Sequence, residues 1–421
     1  MMNRALKDKG FASFDAVTPK RYYQGTHRTR TPEETLAANT PLMPRMGITR
    51  LANVTGLDRI GHPVCVAVRP NSRSLATSQG KGDTFEAAMV SALMESTELW
   101  HAEHIDQAVR YATYADLATQ HNVIDIQQAP IRADASFDPR CAIQWLEGLD
   151  LMSRQACYVP YELISMNLVR QPGSQPIFLE SSNGLSSGNH LAEAAVHAVA
   201  EVIERDAMAL WEHYSLPMRQ ARQVDLSTVN DQRLQEMMAM LESRGLVLGV
   251  WDATTDVGVP VYTCLMFEDP ESPQWRPIPA YGGHGCHLDP VIALSRAVNE
   301  AIQSRLTAIS GSRDDMFQAD YTRAGNRDDH ARLIQGIREP APSLAFQTPQ
   351  LNIGNSVQDD LNTLLNQLKG VGVDRVVAVD LSKEALGIPV VKIVIPALEP
   401  YYTALYRPGA RARRLVQEMA A

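Results

Sequence analysis

Three stretches of the chain space polar side chains at i, i+4 and i+7: Ser91/Glu95/Glu98, His197/Glu201/Glu204 and Arg296/Glu300/Gln303. On an α-helix such positions share one face. Glu193 falls one turn before His197 on the same side, and Arg205 follows Glu204 directly. For one such helix a solvated acidic face is explanation enough. In the first stretch, however, Met89, Val90, Leu93 and Met94 make the helix apolar over much of its circumference, which predicts burial. Buried carboxylates need positive partners or a metal, and several converging on one place repel unless neutralised. Mg²⁺ with a polyphosphate meets that need, because the ion is commonly held by carboxylates together with substrate phosphates. Lys81, Arg205, Arg296 and Arg313 are cations available for the remaining negative charge. The pattern therefore predicts a nucleotide and metal site.

Each helix follows a stretch rich in Gly: SQGKGDT, SSNGLSSGN and YGGHGCHLD. These read as loops able to offer backbone N–H groups to phosphate. SQGKGDT lacks the spacing of a P-loop, so a Walker-type site is not expected. Helix starts are predicted at Thr31-Pro32, at Asp83 with Glu86 as capping-box partner, at Asn189, at Ser227 and at Asp289-Pro290. Strand patterns precede and separate these helices, at residues 47–70, 141–163, 246–267, 375–381 and 390–395. The polar stretch 318–349 reads as a loop or mobile insertion, and residues 400–421 as a basic, helical tail. Residues 1–40 read as an N-terminal arm with a basic patch at Arg21, His27, Arg28 and Arg30. His197 reads as a satisfied core histidine, Trp100 and Trp211 as core, and His284 and His287 as loop residues of open role.

The 421 residues carry a net charge of −9, which argues against a general nucleic-acid or membrane-surface binder. The first residues hold no apolar signal core, and no apolar run approaches the length needed to span a bilayer. The five cysteines are scattered without CxxC or a Cys/His ligand spacing. Zinc and a disulfide framework are not expected, and a reducing cytoplasm is.

Three blocks carry a family resemblance: SQGKGDTFEAAMVSALMESTE, SSNGLSSGNHLAEAAVHAVAEVIERDA and GGHGCHLDPVIALSRAVNEAIQSRLTAISGSRDD. With the preceding MGITRLANVTGLDRIGHPVCVAVRP and the later PVVKIVIPALEP, the chain resembles the YcaO family. The resemblance implies an α+β fold in which helices pack on mixed β-sheets around a central Mg²⁺–ATP site. It implies a YcaO domain over residues 41–421. By the same resemblance, Ser78, Lys81, Ser91, Glu95, Asn189, Glu193, Arg205, Gln303 and Arg305 bind ATP. Glu95, Glu98, Glu201 and Glu204 hold the metal. The family's Gln-to-Arg spacing is not cleanly reproduced at Arg305 and Arg313.

YcaO proteins use ATP to phosphorylate a backbone amide oxygen of a peptide, which turns a poor leaving group into a good one. Catalysis of that kind is mainly positioning and charge stabilisation. An internal Cys, Ser or Thr nucleophile gives an azoline, external sulfide a thioamide, and an internal amine an amidine. This chain lacks the PxPxP ending of many azoline-forming members and looks more like the branch that makes thioamides with a TfuA-type partner. Expected partners are a precursor peptide or protein, a TfuA-like or leader-binding protein, and a second copy in a homodimer. A silent YcaO-like scaffold is the alternative from another class. It gives no reason to keep costly buried carboxylates.

Overall fold

The computed structural model describes residues 12–23, 25–170, 175–319, 326–342, 344–347, 351 and 353–420. The strands are β1 (Arg21–Tyr23), β2 (Thr26–Arg28), β3 (Arg50–Asn53), β4 (Val64–Val68), β5 (Thr77–Lys81), β6 (Arg110–Thr113), β7 (Ala142–Asp150) and β8 (Gln155–Pro160). They continue as β9 (Leu185–Ser187), β10 (Val224–Asp225), β11 (Leu246–Asp252), β12 (Val261–Glu268), β13 (Tyr281–Cys286), β14 (Leu344–Ala345), β15 (Val377–Asp380) and β16 (Val390–Val394). The helices that matter for the site are α1 (Pro32–Asn39), α2 (Phe85–Glu103), α3 (Leu191–Trp211) and α4 (Gln232–Ser243). Further along come α5 (Pro290–Ser310), α6 (Arg327–Arg338), α7 (Val357–Gly370) and α8 (Ala410–Ala420).

Two antiparallel three-stranded sheets, β3-β4-β5 and β11-β12-β13, each carry one acidic helix. Helix α2 lies on β4 and β5, and α5 lies on β12 and β13. A six-stranded sheet, ordered β6-β7-β15-β16-β9 with β8 paired to β7, carries α3 against β16 and β9. The three acidic helices thus come from three strand systems. The core has three parts, one around α3 and α7, one around α2, β7 and β8, and one around α4, α5 and β12. No residue of α3 is exposed, so its acidic face is not a solvated one. Among the described residues, no helix is long and apolar enough to cross a membrane, and all five cysteines are free.

The glycine-rich stretches before the helices are largely strands: SQGK lies in β5, LSS in β9 and YGGHGC is β13. Their glycines make room for helix backbone. A Cβ on Gly80 would stand 2.1 Å from the Ala88 carbonyl oxygen and 2.1 Å from the Ala92 nitrogen. On Gly285 it would stand 2.1 Å from the Ala293 carbonyl oxygen. The matching alanines on α2 and α5 are fully buried. The Gly–Ala pattern lets helix and strand backbones meet with no side chain between them.

Several helix starts shift by one to a few residues. Thr84, not Asp83, caps α2, its hydroxyl accepting from the Ala87 N–H. His190, not Asn189, caps α3, its Nδ1 accepting from the Ala192 N–H at 3.2 Å. Asp231 caps α4, which begins after the 3₁₀ turn Leu226–Thr228 that contains Ser227. Asp289 with Pro290, and Thr31 with Glu34 in a capping box, stand where the sequence puts them.

The stretch 318–349, read from its polarity as loop, contains α6, capped by Asn326, and β14 paired in parallel with β10. The amphipathic spacing that buries His330 and Ile334 was the available signal. Residues 320–325, 343 and 348–350 lie outside the described residues. In the region read as an N-terminal arm, β1 and β2 form a hairpin and α1 packs on α2. The tail forms α8, which Arg411 ties to Asp206 of α3 at 2.9 and 3.0 Å.

Candidate active site

Burial is the starting fact of the site. It raises Glu95 to about 7, although Lys81 and Arg313 pull it down. It raises Glu98 to about 8, although Ser187 donates both its N–H and its hydroxyl to Glu98 Oε1 at 2.7 Å each. Glu201 is raised too, by burial and by Glu204, against Arg205, Lys392 and Arg296. Glu95 and Glu201 each raise Glu98, and Glu201 also raises Glu95. The acidic faces of α2 and α3 therefore meet, as their spacing predicts. Desolvation outweighs the cations nearby and disfavours the charged forms of all three.

The third helix adds the opposite balance. Lys81 Nζ at the end of β5 donates to Glu300 Oε2 at 2.7 Å, and the His284 N–H reaches Glu300 Oε1 at 3.3 Å. Burial alone would raise Glu300, but Lys81, Arg205 and His284 bring it down to about 2. Arg205 lies 3.4 Å from Glu204 and 5.4 Å from the centre of the Tyr401 ring. Burial works against its charge, and Glu204, Glu300 and Glu201 raise it above the ordinary arginine value. Arg205 therefore belongs to the site and bridges the electrostatics of α3 and α5. Arg313 pairs with Asp315 at 2.7 Å and acts on Glu95.

Glu193 closes one end. Its Oε2 accepts from the Thr29 N–H at 2.8 Å and the Thr29 hydroxyl at 2.6 Å. Its Oε1 accepts from the Asn189 N–H at 3.1 Å and Nδ2 at 3.3 Å. Asn189 Oδ1 in turn accepts from the Thr35 hydroxyl at 3.1 Å. Ser78 is buried on β5, and Ser91 and Gln303 lie half-buried one turn before Glu95 and one turn after Glu300. Arg296 faces His197, Nη1 to Nδ1 at 3.3 Å. Burial, with Arg28 and Arg296, lowers His197 well below its ordinary value, which fits the neutral core histidine read from the sequence.

Arg305 does not join the site. Its Nε donates to Asp58 at 2.7 Å and its Nη2 to Glu268 at 2.6 Å, with all three side chains at most 1% exposed. Nine positions after Arg296, it points to the other side of α5. Arg305→Leu is expected to destabilise the fold by about 3–5 kcal/mol, the usual cost of leaving buried ions without a partner. Nucleotide affinity of the folded fraction should stay unchanged; denaturant melts and calorimetry check the two halves.

Sequence reasoning missed two cations. Lys392, in the middle of β16, is 2% exposed and acts on Glu201. A lone lysine in the apolar run VVKIVI was the signal. Arg28 of β2 had been noted only as surface charge. It lies half-buried near Glu193, Arg296 and Glu98, and its buried Nη1 has no hydrogen-bond partner.

Among the described residues, no three His, Cys, Asp or Glu side chains are grouped as a ready-made metal cage. The donor set still fits Mg²⁺, which takes one or two carboxylates and completes its shell with water and phosphate oxygens. Carboxylates with desolvated charge, faced by Lys and Arg, mark the polar centre of this α+β protein. The chain belongs to the YcaO family: that family's model, described as YcaO cyclodehydratase, ATP- and Mg²⁺-binding, matches residues 79–399. ATP and Mg²⁺ are thus the family's cofactors. The chain is 34% identical over 391 residues to an uncharacterized protein of the tfuA 3′ region in Rhizobium leguminosarum bv. trifolii, covering 91% of this chain and 92% of that one. It is 30% identical over 385 residues to an uncharacterized protein of Methanothermobacter thermautotrophicus, covering 91% and 97%.

Two solved structures share the fold. YcaO from Methanopyrus kandleri, bound with AMPPCP and Mg²⁺, superposes with a TM-score of 0.70 at 24% identity, over 91% of this chain and 95% of that one. A heterocyclase in complex with substrate and cofactor superposes with a TM-score of 0.76 at 22% identity, over 99% of this chain but 58% of that longer one.

Proposed function

We propose that this chain activates a peptide backbone amide by ATP-dependent phosphorylation of its oxygen and, with a TfuA-type partner and a sulfur source, installs a thioamide. The observation that carries the first half is the set of carboxylates on the facing sides of α2 and α3, Glu95 and Glu98 raised to about 7 and about 8 chiefly by desolvation. Glu95, Glu98, Glu201 and Glu204 are the side chains to hold Mg²⁺. Lys81, Arg205 and Arg313 are placed to meet phosphate oxygens, with Ser78, Ser91, Asn189, Glu193 and Gln303 around the nucleotide. Mg²⁺ when bound supplies charge neutralisation for the carboxylates and for the transferring phosphoryl group. Arg205, held charged by its three glutamates, stabilises charge that builds during the transfer. The relative from the tfuA 3′ region supports the thioamide half.

The test is product mass. The chain, the TfuA-type protein and the peptide encoded beside their genes are incubated with Mg²⁺–ATP and sulfide. Exchange of oxygen for sulfur supports the reading. Loss of water instead identifies an azoline-forming cyclodehydratase, and no ATP consumption with any peptide points to a silent scaffold. On this reading the protein works in the cytoplasm, where both peptide and ATP are made.

A further inference from the structure

A cavity of about 50 Å³ lies beside the acidic wall, lined by Leu179, Ser181, Asn183, Lys392, Leu398 and Pro400 among others. It is larger than a single water needs. Val202, the residue after Glu201, also lines it. Two polar groups in its wall have unspent hydrogen-bonding capacity. Lys392 donates to the Ser181 carbonyl oxygen at 2.5 Å, and an ammonium group has three donors. Asn183 Oδ1 is buried and has no hydrogen-bond partner. The rest of the lining is mainly apolar, from Leu163, Leu179, Ile395, Pro396 and Leu398. An ammonium with donors to spare and a free amide acceptor in an apolar setting match the two polar groups of a peptide unit, which carries one C=O and one N–H.

We propose that this cavity receives one peptide unit of the substrate, its carbonyl oxygen on Lys392 Nζ and its N–H on Asn183 Oδ1. The inference rests on the reading that the substrate is a peptide, and it adds where and by which groups the backbone is held. Lys392 then has two duties. It faces Glu201 from β16, and it fixes the substrate amide at the edge of the carboxylate wall. The site recognises backbone and not side chain.

The test uses the full chain and N-acetylglycine N-methylamide as a minimal backbone probe, with binding read by saturation-transfer NMR. AMPPCP with Mg²⁺ is titrated separately by calorimetry. Lys392→Met and Asn183→Leu are each expected to weaken the probe by about tenfold, the scale of a charge-assisted or buried hydrogen bond. Asn183→Leu should leave AMPPCP affinity unchanged, and Lys392→Arg should keep probe binding. Equal probe binding by wild type and both variants overturns the proposal. So does an Asn183→Leu chain that loses AMPPCP and probe together, since the side chain then supports the fold of the site and not the probe. If Lys392→Met fails to fold, Asn183→Leu decides. A wild-type chain that binds the probe as described but consumes no ATP with any peptide leaves the cavity standing and strikes the proposed reaction instead.

Discussion

Glu201→Gln is expected to lower peptide-dependent phosphate release by at least about 10²–10³-fold, the range for removing one preorganised charge-stabilising group, while the protein stays folded. The amide has nearly the same shape, so packing along α3 is kept. Glu201 sits where burial and Glu204 both disfavour its charge. Losing that charge therefore removes an unfavourable term from the unliganded fold. Thermal midpoint should hold or rise while turnover collapses, and these opposite directions make the result diagnostic. A carboxylate kept only for stability would show the reverse, with a lower midpoint and intact turnover of the folded fraction. Full turnover in the variant would remove Glu201 from the metal role. Lys392 loses its acidic neighbour in this variant, but its hydrogen bond to the Ser181 carbonyl remains.

Side-chain periodicity made this site legible before any coordinates. The i, i+4, i+7 spacing fixes which residues of α2, α3 and α5 share a face, and it depends only on helix geometry. That is why Glu95 and Glu98 of α2 and Glu201 of α3 act on one another across two helices. The same geometry warned that Arg305 points away from Arg296, and Asp58 with Glu268 shows what it points toward. What stayed hidden depends on contacts between distant parts of the chain. Lys392 is 191 positions from Glu201 in sequence (392 minus 201), and only the placement of β16 beside α3 joins them. Arg28 and Thr29 reach the site because the β1–β2 hairpin folds back, a tertiary event that a polar N-terminal sequence does not announce. Helix starts slipped for a local reason. Asp83 and Asn189 both have capping side chains, but Asp83 is drawn to Arg233, and Asn189 to Thr35 and to Glu193 in the helix's own first turn.

The glycines show how one composition supports two different explanations, and they give the second large expected effect. Read as loops, the runs before the helices would serve phosphate, and a substitution there would weaken nucleotide binding with little change in stability. In the structure Gly283 lies in β13, where an added Cβ would stand 2.2 Å from the Ala297 carbonyl oxygen and 2.3 Å from the Ala301 nitrogen. Both are backbone atoms of α5 and cannot rotate aside. Gly283→Ala must push helix from strand, so it is expected to destabilise by about 3 kcal/mol or more, at or beyond the upper end for overpacking. Gly56→Ala is the control, because nothing lies within 4 Å of its added Cβ; it should stay within about 0.5 kcal/mol of wild type. Denaturant melts of both variants decide between the explanations. A stable Gly283→Ala chain with weakened AMPPCP binding would restore the phosphate role. A destabilised chain whose folded fraction binds AMPPCP normally establishes that the glycine is there for close packing. Because Glu300 rides on the same helix one residue before Ala301, close packing at Gly283 also sets how near its carboxylate comes to Lys81 on the neighbouring sheet.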